Sequence, residues 1–322
     1  MLSYVLKRIL YMIPVLLCVT VVVFSLLYIT PGDPTVMILG DMATPEQYEA
    51  LREEMGLNDG YLTRLGRYLK DLIFHFDLGN SYLNGQPVMK EILARYPVTL
   101  KLALLGVGFG LAFGLIMGVL SAIRQNSLLD NVCVSVSLFG TAAPIFWTGL
   151  LLIVIFSVKL KLLPATGSYG PEYWVMPVCV LGIQNGAFIA RITRSSMLEV
   201  IRQDYIRTAR AKGQRESLVI LGHALRNAWI PILTVVGNQL CVALAGATVV
   251  ETIFSLPGLG RYLIDSLNGK DYIAVQGVVL FIGVNCVAVN LIIDLLYAFV
   301  DPRVKANYTG KKLFRRRTKT NA

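Results

Sequence analysis

Charge is what this chain has least of: Asp, Glu, Lys and Arg make up 16% of its 322 residues, against roughly 25% in soluble domains. The shortfall is uneven, because several long runs carry almost no charge. A large soluble core is thereby excluded. Histidine is scarce too: His75 and His223 are the only two, and the topology derived below puts them on opposite sides of a membrane, where they cannot share a site. No GxxxxGK[ST] is present, so the chain does not itself hold ATP by a Walker loop. No HExxH, GxSxG or intramembrane Asp pair occurs, which leaves a membrane enzyme without a site. Cys18, Cys133, Cys179, Cys241 and Cys286 each lie within an apolar run and form no CxxC. They read as small buried hydrophobes, not as disulfides or a metal site.

Apolar residues, by contrast, make up 55% of the chain. A bilayer span needs about 20 mostly apolar residues, and six runs meet that length: 9–29, 98–122, 132–158 with Pro144 inside it, 174–192, 228–254 and 273–300. The fold class is all-α, an integral membrane protein. The first run follows Lys7 and Arg8 as a signal peptide would. It exceeds the roughly 7–15 residues of a signal h-region and ends without a small-residue cleavage site, so it is a retained helix. The net charge of +10 suggests nucleic acid only until its placement is considered. Basic residues crowd the segment 191–226, the tail 301–322 and the Lys7-Arg8 end. That is the positive-inside pattern, and six spans put both termini on the same, inner side.

The loop 31–97 lies outside and is more than a linker. Thr44-Pro45-Glu46-Gln47 reads as a helix start, with Thr44 as N-cap, Pro45 at N1 and Gln47 closing a capping box. Gly56 supplies the stop. Leu62, Leu65, Tyr68, Leu69, Leu72, Ile73 and Phe76 then recur at helical spacing, predicting an amphipathic helix and a small helical subdomain on the outer surface.

Inside the spans, Gly106, Gly110, Gly114 and Gly118 recur every fourth residue and predict a bare strip for close helix packing. Ionisable groups in lipid are costly and face protein or water. Glu251, Asn290 and Asp294 are therefore candidate pathway or gate residues, the alternative for Asp294 being a pair with an inner-loop arginine. Between the fourth and fifth runs a short helix, a Gly break and a second helix are expected, with Leu218, Leu221 and Leu225 on one apolar face. Ala209 and Gly213 would let a soluble partner approach the backbone. A basic helix lying on anionic lipid is the competing reading of the same residues.

This stretch resembles the EAA loop of ATP-driven (ABC) importer permeases, whose pattern falls on Arg207-Thr208-Ala209, Gly213, His223 and Leu225-Arg226. Its departures from that pattern resemble the dipeptide, oligopeptide and nickel branch. Ala209-Arg210-Ala211-Lys212-Gly213, His223-Ala224-Leu225-Arg226-Asn227-Ala228 and Pro231 fit that version closely. Pro31-Gly32-Asp33-Pro34, Leu78-Gly79-Asn80-Ser81, the stretch from Phe254 to Arg261, the stretch from Asn290 to Tyr297, and Asp301-Pro302-Arg303 resemble the same branch. His75-Phe76-Asp77 departs from it, since the branch usually has Gly before that Asp.

The resemblance implies a permease of the type I importer fold in a bacterial inner membrane. Its implied partners are a second homologous permease, two cytoplasmic ATPase subunits that carry ATP and Mg, and an external substrate-binding protein. No cofactor, metal or nucleic acid is implied for this chain. Short peptides are the implied substrate, with nickel or a chelated metal as the alternative. The implied division is an N-terminal span 1–30, the outer loop 31–97, a permease core 98–300 with a coupling loop 193–227, and the tail. Arg207, Thr208, Ala209, Arg210, Ala211, Lys212, Gly213, His223, Leu225 and Arg226 are the implied ATPase-coupling residues.

Overall fold

The computed structural model describes residues 2–30, 32–40 and 42–300. The tail 301–322, the side chains of Lys7 and Arg8, and Pro31 lie outside the described residues. Among the described residues the regular secondary structure is helical, apart from one isolated bridge between Asn80 and Pro87. Among the described residues, five helices are long and apolar enough to cross a membrane, and a sharply bent pair supplies a sixth crossing when counted as one span.

Helix α1 (Leu2–Ile29) leads to a cap of three short helices. In α2 (Pro34–Leu39) the Asp33 side chain accepts the Thr35 N–H at 2.9 Å. In α3 (Pro45–Glu54) the capping box of the sequence is in place: Gln47 N–H reaches Thr44 Oγ1, and Thr44 N–H donates to Gln47 Oε1 at 2.8 Å. Gly56 ends that helix at φ 63°. Helix α4 (Tyr61–Lys70) runs on as a π-helical stretch, Asp71–His75. Tyr68 stacks on Phe24 of α1 and Tyr61 packs edge-on against Phe24 and Tyr28, which seats the cap on the end of α1. The expected apolar face is only partly used. Leu65, Tyr68, Leu69 and Leu72 are half-buried, while Leu62, Ile73 and Phe76 are exposed. The switch to π-helical turns after Lys70 rotates the last of them off the face.

Helix α5 (Val88–Ile123) starts ten residues before the expected 98. Lys90, Glu91 and Arg95 end the apolar run but not the helix. At 1.5 Å per residue its 36 residues span about 54 Å, well beyond a hydrocarbon core of roughly 30 Å. Next come α6 (Leu128–Ala142) and α7 (Ile145–Leu152), the latter extended by π-helical Ile153–Lys159. They meet at 103°. The expected third span is thus broken, because Pro144 drives the preceding Ala143 out of helical backbone to φ −68°, ψ 126°. Helix α8 (Glu172–Ile201) lies parallel along α5, Gly106 meeting Leu181 and Gly118 meeting Thr193, and continues nine residues past the expected end at 192.

The short α9 (Asp204–Ala211) follows, then a π-helical stretch, Leu218–Ala224, that feeds α10 (Leu225–Ile253). Helices α11 (Leu259–Asn268) and α12 (Tyr272–Val300) complete the described chain. One end of the bundle therefore carries α2–α4 and α11, and the other carries α9.

The core lies between α5, α8 and α10. Gly106, Gly110, Gly114 and Gly118 are buried against α8. A Cβ on Gly110 would stand 2.9 Å from Gly186 N, and one on Gly114 would stand 2.7 Å from Gly186 O. The two backbones touch with no side chain between them.

Candidate functional site

The α9 end is built on a cluster of fully apolar residues. Val119 and Ala122 of α5, Ile189 and Met197 of α8, Ile206 of α9, and Val219, Ile220, Ala224, Ala228 and Ile232 form one buried core. Ile206 is completely buried and is the anchor that holds α9 on the bundle. Ala209 packs half-buried on the same core, as does Leu225. Arg207, Thr208, Arg210, Ala211, Lys212, Gly213 and Arg226 are exposed. So α9 turns its small and apolar side inward and a basic side outward.

Gly213 terminates α9. It sits at φ 72°, its N–H donates to Arg210 O at 2.9 Å, and Gln214 N–H reaches Ala209 O. This is a Schellman turn, which wants a left-handed residue at that position. A Cβ there would meet nothing within 4 Å, so the surface above Gly213 is open. Two contacts fold the following loop back. Arg210 grips Glu216 at 2.7 Å, and His223 Nε2 lies 2.8 Å from Gln214 Oε1. The hydrogen bonds from Arg210 hold the Glu216 carboxyl below its ordinary range.

The second amphipathic face differs from expectation. Leu218 and Leu221 are exposed, and the buried side chains are Val219, Ile220 and Ala224. A π-helical turn takes up one residue more than an α turn, so the 3.6-residue spacing names the wrong face.

A second feature lies on the joint face of α8 and α10. Phe188, Arg191, Ile192, Val235, Asn238 and Gln239 line an open groove of about 440 Å³. Arg191 stacks over Phe188 at 5.0 Å, and Asn238 is exposed. A cation and amides on an otherwise apolar helix face are poorly suited to lipid.

Glu251 lies elsewhere and is fully buried. Its carboxylate accepts Thr99 Oγ1–H at 2.6 Å and Arg261 N–H at 3.0 Å. Thr99 Oγ1 in turn accepts Leu259 N–H at 2.8 Å. Gly258 lies directly against the carboxylate. Glu251 therefore caps the first turn of α11 and ties it to α5 and α10, which removes it from any open face. Asn290 is on the exposed side of α12 and Asp294 is half-buried one turn further on; neither lines the groove.

Sequence reasoning missed a cluster at the α9 end. Arg194 forks onto Asp130, Nε to Oδ1 and Nη2 to Oδ2, both at 2.8 Å. Ser121 donates to the same carboxylate, and Asn126 N–H donates to it at 2.9 Å. It also missed Asp271, fully buried, which accepts Ala274 N–H at 3.2 Å and a hydrogen bond from Ser81. The available signal was Asp130, an acid two residues before the apolar run 132–158.

Comparison with known proteins agrees with this architecture. Residues 110–306 match the family described as binding-protein-dependent transport system inner membrane component, and residues 1–103 match its N-terminal companion. A protein of Brucella abortus (strain 2308), provisionally named a peptide transport system permease, is 43% identical over 95% of this chain and 99% of its own length. The dipeptide transport system permease protein DppB of Escherichia coli (strain K12) is 39% identical over 95% of this chain and 99% of its own. Among solved structures, a chain of the MetNI methionine ABC transporter in inward-facing conformations superposes with a TM-score of 0.58. It is 17% identical and covers 67% of this chain and 99% of its own, a likeness of fold.

Proposed function

This chain belongs to the binding-protein-dependent transport system inner membrane components, and from that membership we propose that it is a permease subunit of an ATP-driven importer of short peptides. The likeness along nearly its whole length to relatives named for peptide and dipeptide transport carries this reading. It favours peptides over nickel. The chain is a multi-pass inner-membrane protein and not itself the catalyst. Membership implies ATPase and binding-protein partners; we propose two ATPase subunits and a second homologous permease.

In this reading the α9 end is cytoplasmic, as are both termini, and α2–α4 face outward. The exposed basic side of α9 docks an ATPase, and Ile206 and Ala209 pass its displacement into α5 and α8. The groove on α8 and α10 faces the second permease and forms half of the pathway. Its one cation and two amides suit a weakly polar route for a zwitterionic peptide. Alternating access then follows from rocking of the two subunits about that face.

The test uses the reconstituted complex with its binding protein. ATPase stimulation and uptake are compared for dipeptides, longer peptides and chelated nickel. Stimulation by peptides is expected; a response to nickel alone would overturn the substrate. Orientation is tested with single cysteines at Asn58 and Gln214 in a cysteine-free chain. The first should label from outside and the second from inside, and the reverse would sink the topology.

A further inference from the structure

The Asp130–Arg194 pair joins three helices where α9 meets the bundle. Ser121 belongs to the last turn of α5, Asp130 to the first turn of α6, and Arg194 to α8 two turns before its end. The Asp130 side chain is 3% exposed and Arg194 28%. All the contacts converge: Arg194 Nε also donates to Ser121 Oγ at 2.9 Å, and Asp130 N–H donates to Ser127 Oγ at 3.2 Å. A forked guanidinium–carboxylate contact fixes both distance and angle between the elements it joins.

What it joins matters more than its strength. The apolar core under α9 draws on α5, α8 and α10, and α6 contributes nothing to it. At this end α6 also packs on α5, where Cys133 meets Met117, and the ion pair is its polar tie to α8. From there α6 leads through the Pro144 break into α7, where Gly149 rests against Ile253 and Phe254 at the far end of α10. Glu251, two residues before Ile253, caps α11. A mechanical route thus runs from α9 through α8, the ion pair, α6 and α7 to the opposite end of the molecule. A buried ion pair is often replaceable by apolar residues without loss of stability, so the pair's use here is geometric.

We propose that Asp130 and Arg194 are positioning residues of the transport cycle, making the broken span α6–α7 follow α8 whenever α9 is displaced. The proposal rests on α9 being the ATPase-docking helix. Without the pair, α9 would still move α5 and α8, but α6–α7 would lag and ATP would be spent without opening the far end.

The experiment compares peptide uptake per ATP hydrolysed, in proteoliposomes holding the complete transporter, for the wild type, Arg194→Lys and the double variant Asp130→Asn/Arg194→Met. The double variant leaves no buried charge unpaired and should assemble at normal yield. Its ATPase rate should stay near wild type while uptake per ATP falls about tenfold. Arg194→Lys keeps the charge but loses the fork and should fall in between. An unchanged ratio in the double variant overturns the proposal. So does a parallel fall of ATPase and uptake that tracks the amount of assembled complex, since that is a purely structural effect. A cysteine at Thr208, cross-linked to the ATPase subunit in the wild type, checks the underlying reading separately. Absence of that cross-link defeats the docking of α9; its presence with an unchanged ratio defeats the ion pair alone.

Discussion

The two ends of this bundle are fastened by carboxylates in different ways. At the α2–α4 end, Asp33, Glu251 and Asp271 each accept a backbone N–H from the first turn of a helix: α2, α11 and α12 respectively. At the α9 end, Asp130 is gripped mainly by side chains from two other helices. A cap on backbone N–H groups is part of the helix it caps and is lost only if that turn unwinds. A side-chain fork instead links helices as bodies. The first arrangement makes an end that keeps its shape. The second makes an end whose helices transmit displacement to one another, which suits the end that would meet a moving ATPase.

The largest expected effect tests the rigid end. Glu251→Ala strips Thr99 and Arg261 N–H of their acceptor in a fully buried site. A loss of roughly 3 kcal/mol is expected, with Glu251→Gln milder because it keeps one acceptor oxygen. Thermal unfolding of the variants in nanodiscs gives the measurement. A Glu251→Ala protein as stable as wild type would mean that this end is not held by its caps.

Next in size are two glycines that look alike in sequence. Gly114→Val drives a side chain into Gly186 O and Ile189, and overpacking of this kind costs about 1–3 kcal/mol. Gly213→Ala meets no neighbour and suffers only its left-handed backbone, about 1–2 kcal/mol. The first should lower global stability and insertion. The second should loosen α9 locally, seen as faster hydrogen exchange over 204–213 with the unfolding temperature almost unmoved. Equal effects on global unfolding would erase the distinction between interior seam and articulated turn.

The sequence was legible wherever the cause is local. Apolar runs located the crossings, the Thr44 capping box located α3, and the glycines at every fourth residue share one buried face of α5. It was misleading where a local rule is overridden. Charges at Lys90, Glu91 and Arg95 ended the apolar run but not the helix, and π-helical turns moved the buried face from Leu218 and Leu221 to Val219 and Ile220. It was silent where the partners are remote. Thr99 and Glu251 are 152 residues apart, Ser81 and Asp271 are 190 apart, and Arg194 and Asp130 are 64 apart. No period or spacing joins such residues before the chain has folded. Asp130 carried a hint, as an acid at the edge of an apolar run, but its partner could be named only from the packing of α6 on α8.

The smallest expected effect lies at Asp33, the most exposed of the three capping carboxylates. Burial acts to raise its pKa, but hydrogen bonds from Thr35 and Arg52 outweigh this and hold the carboxyl below its ordinary value. Arg52 Nε donates to Asp33 Oδ2 at 2.7 Å, and so ties α3 to the start of α2. Because the folded value lies below the unfolded one of about 3.9, the contribution is complete above that pH and is lost as pH falls through the folded value. Between pH 7 and pH 5 the contact should therefore not change. The Arg52 side chain is 42% exposed, so solvent screening keeps the effect small and confined to the cap. Hydrogen exchange over α2 and α3, followed down to pH 3, should show protection falling in the wild type. In Asp33→Asn the protection should start lower and lose that acid dependence. If the variant keeps the wild-type pH profile, another group governs the cap in acid, and Asp33 belongs with ordinary surface carboxylates instead of with Glu251 and Asp271.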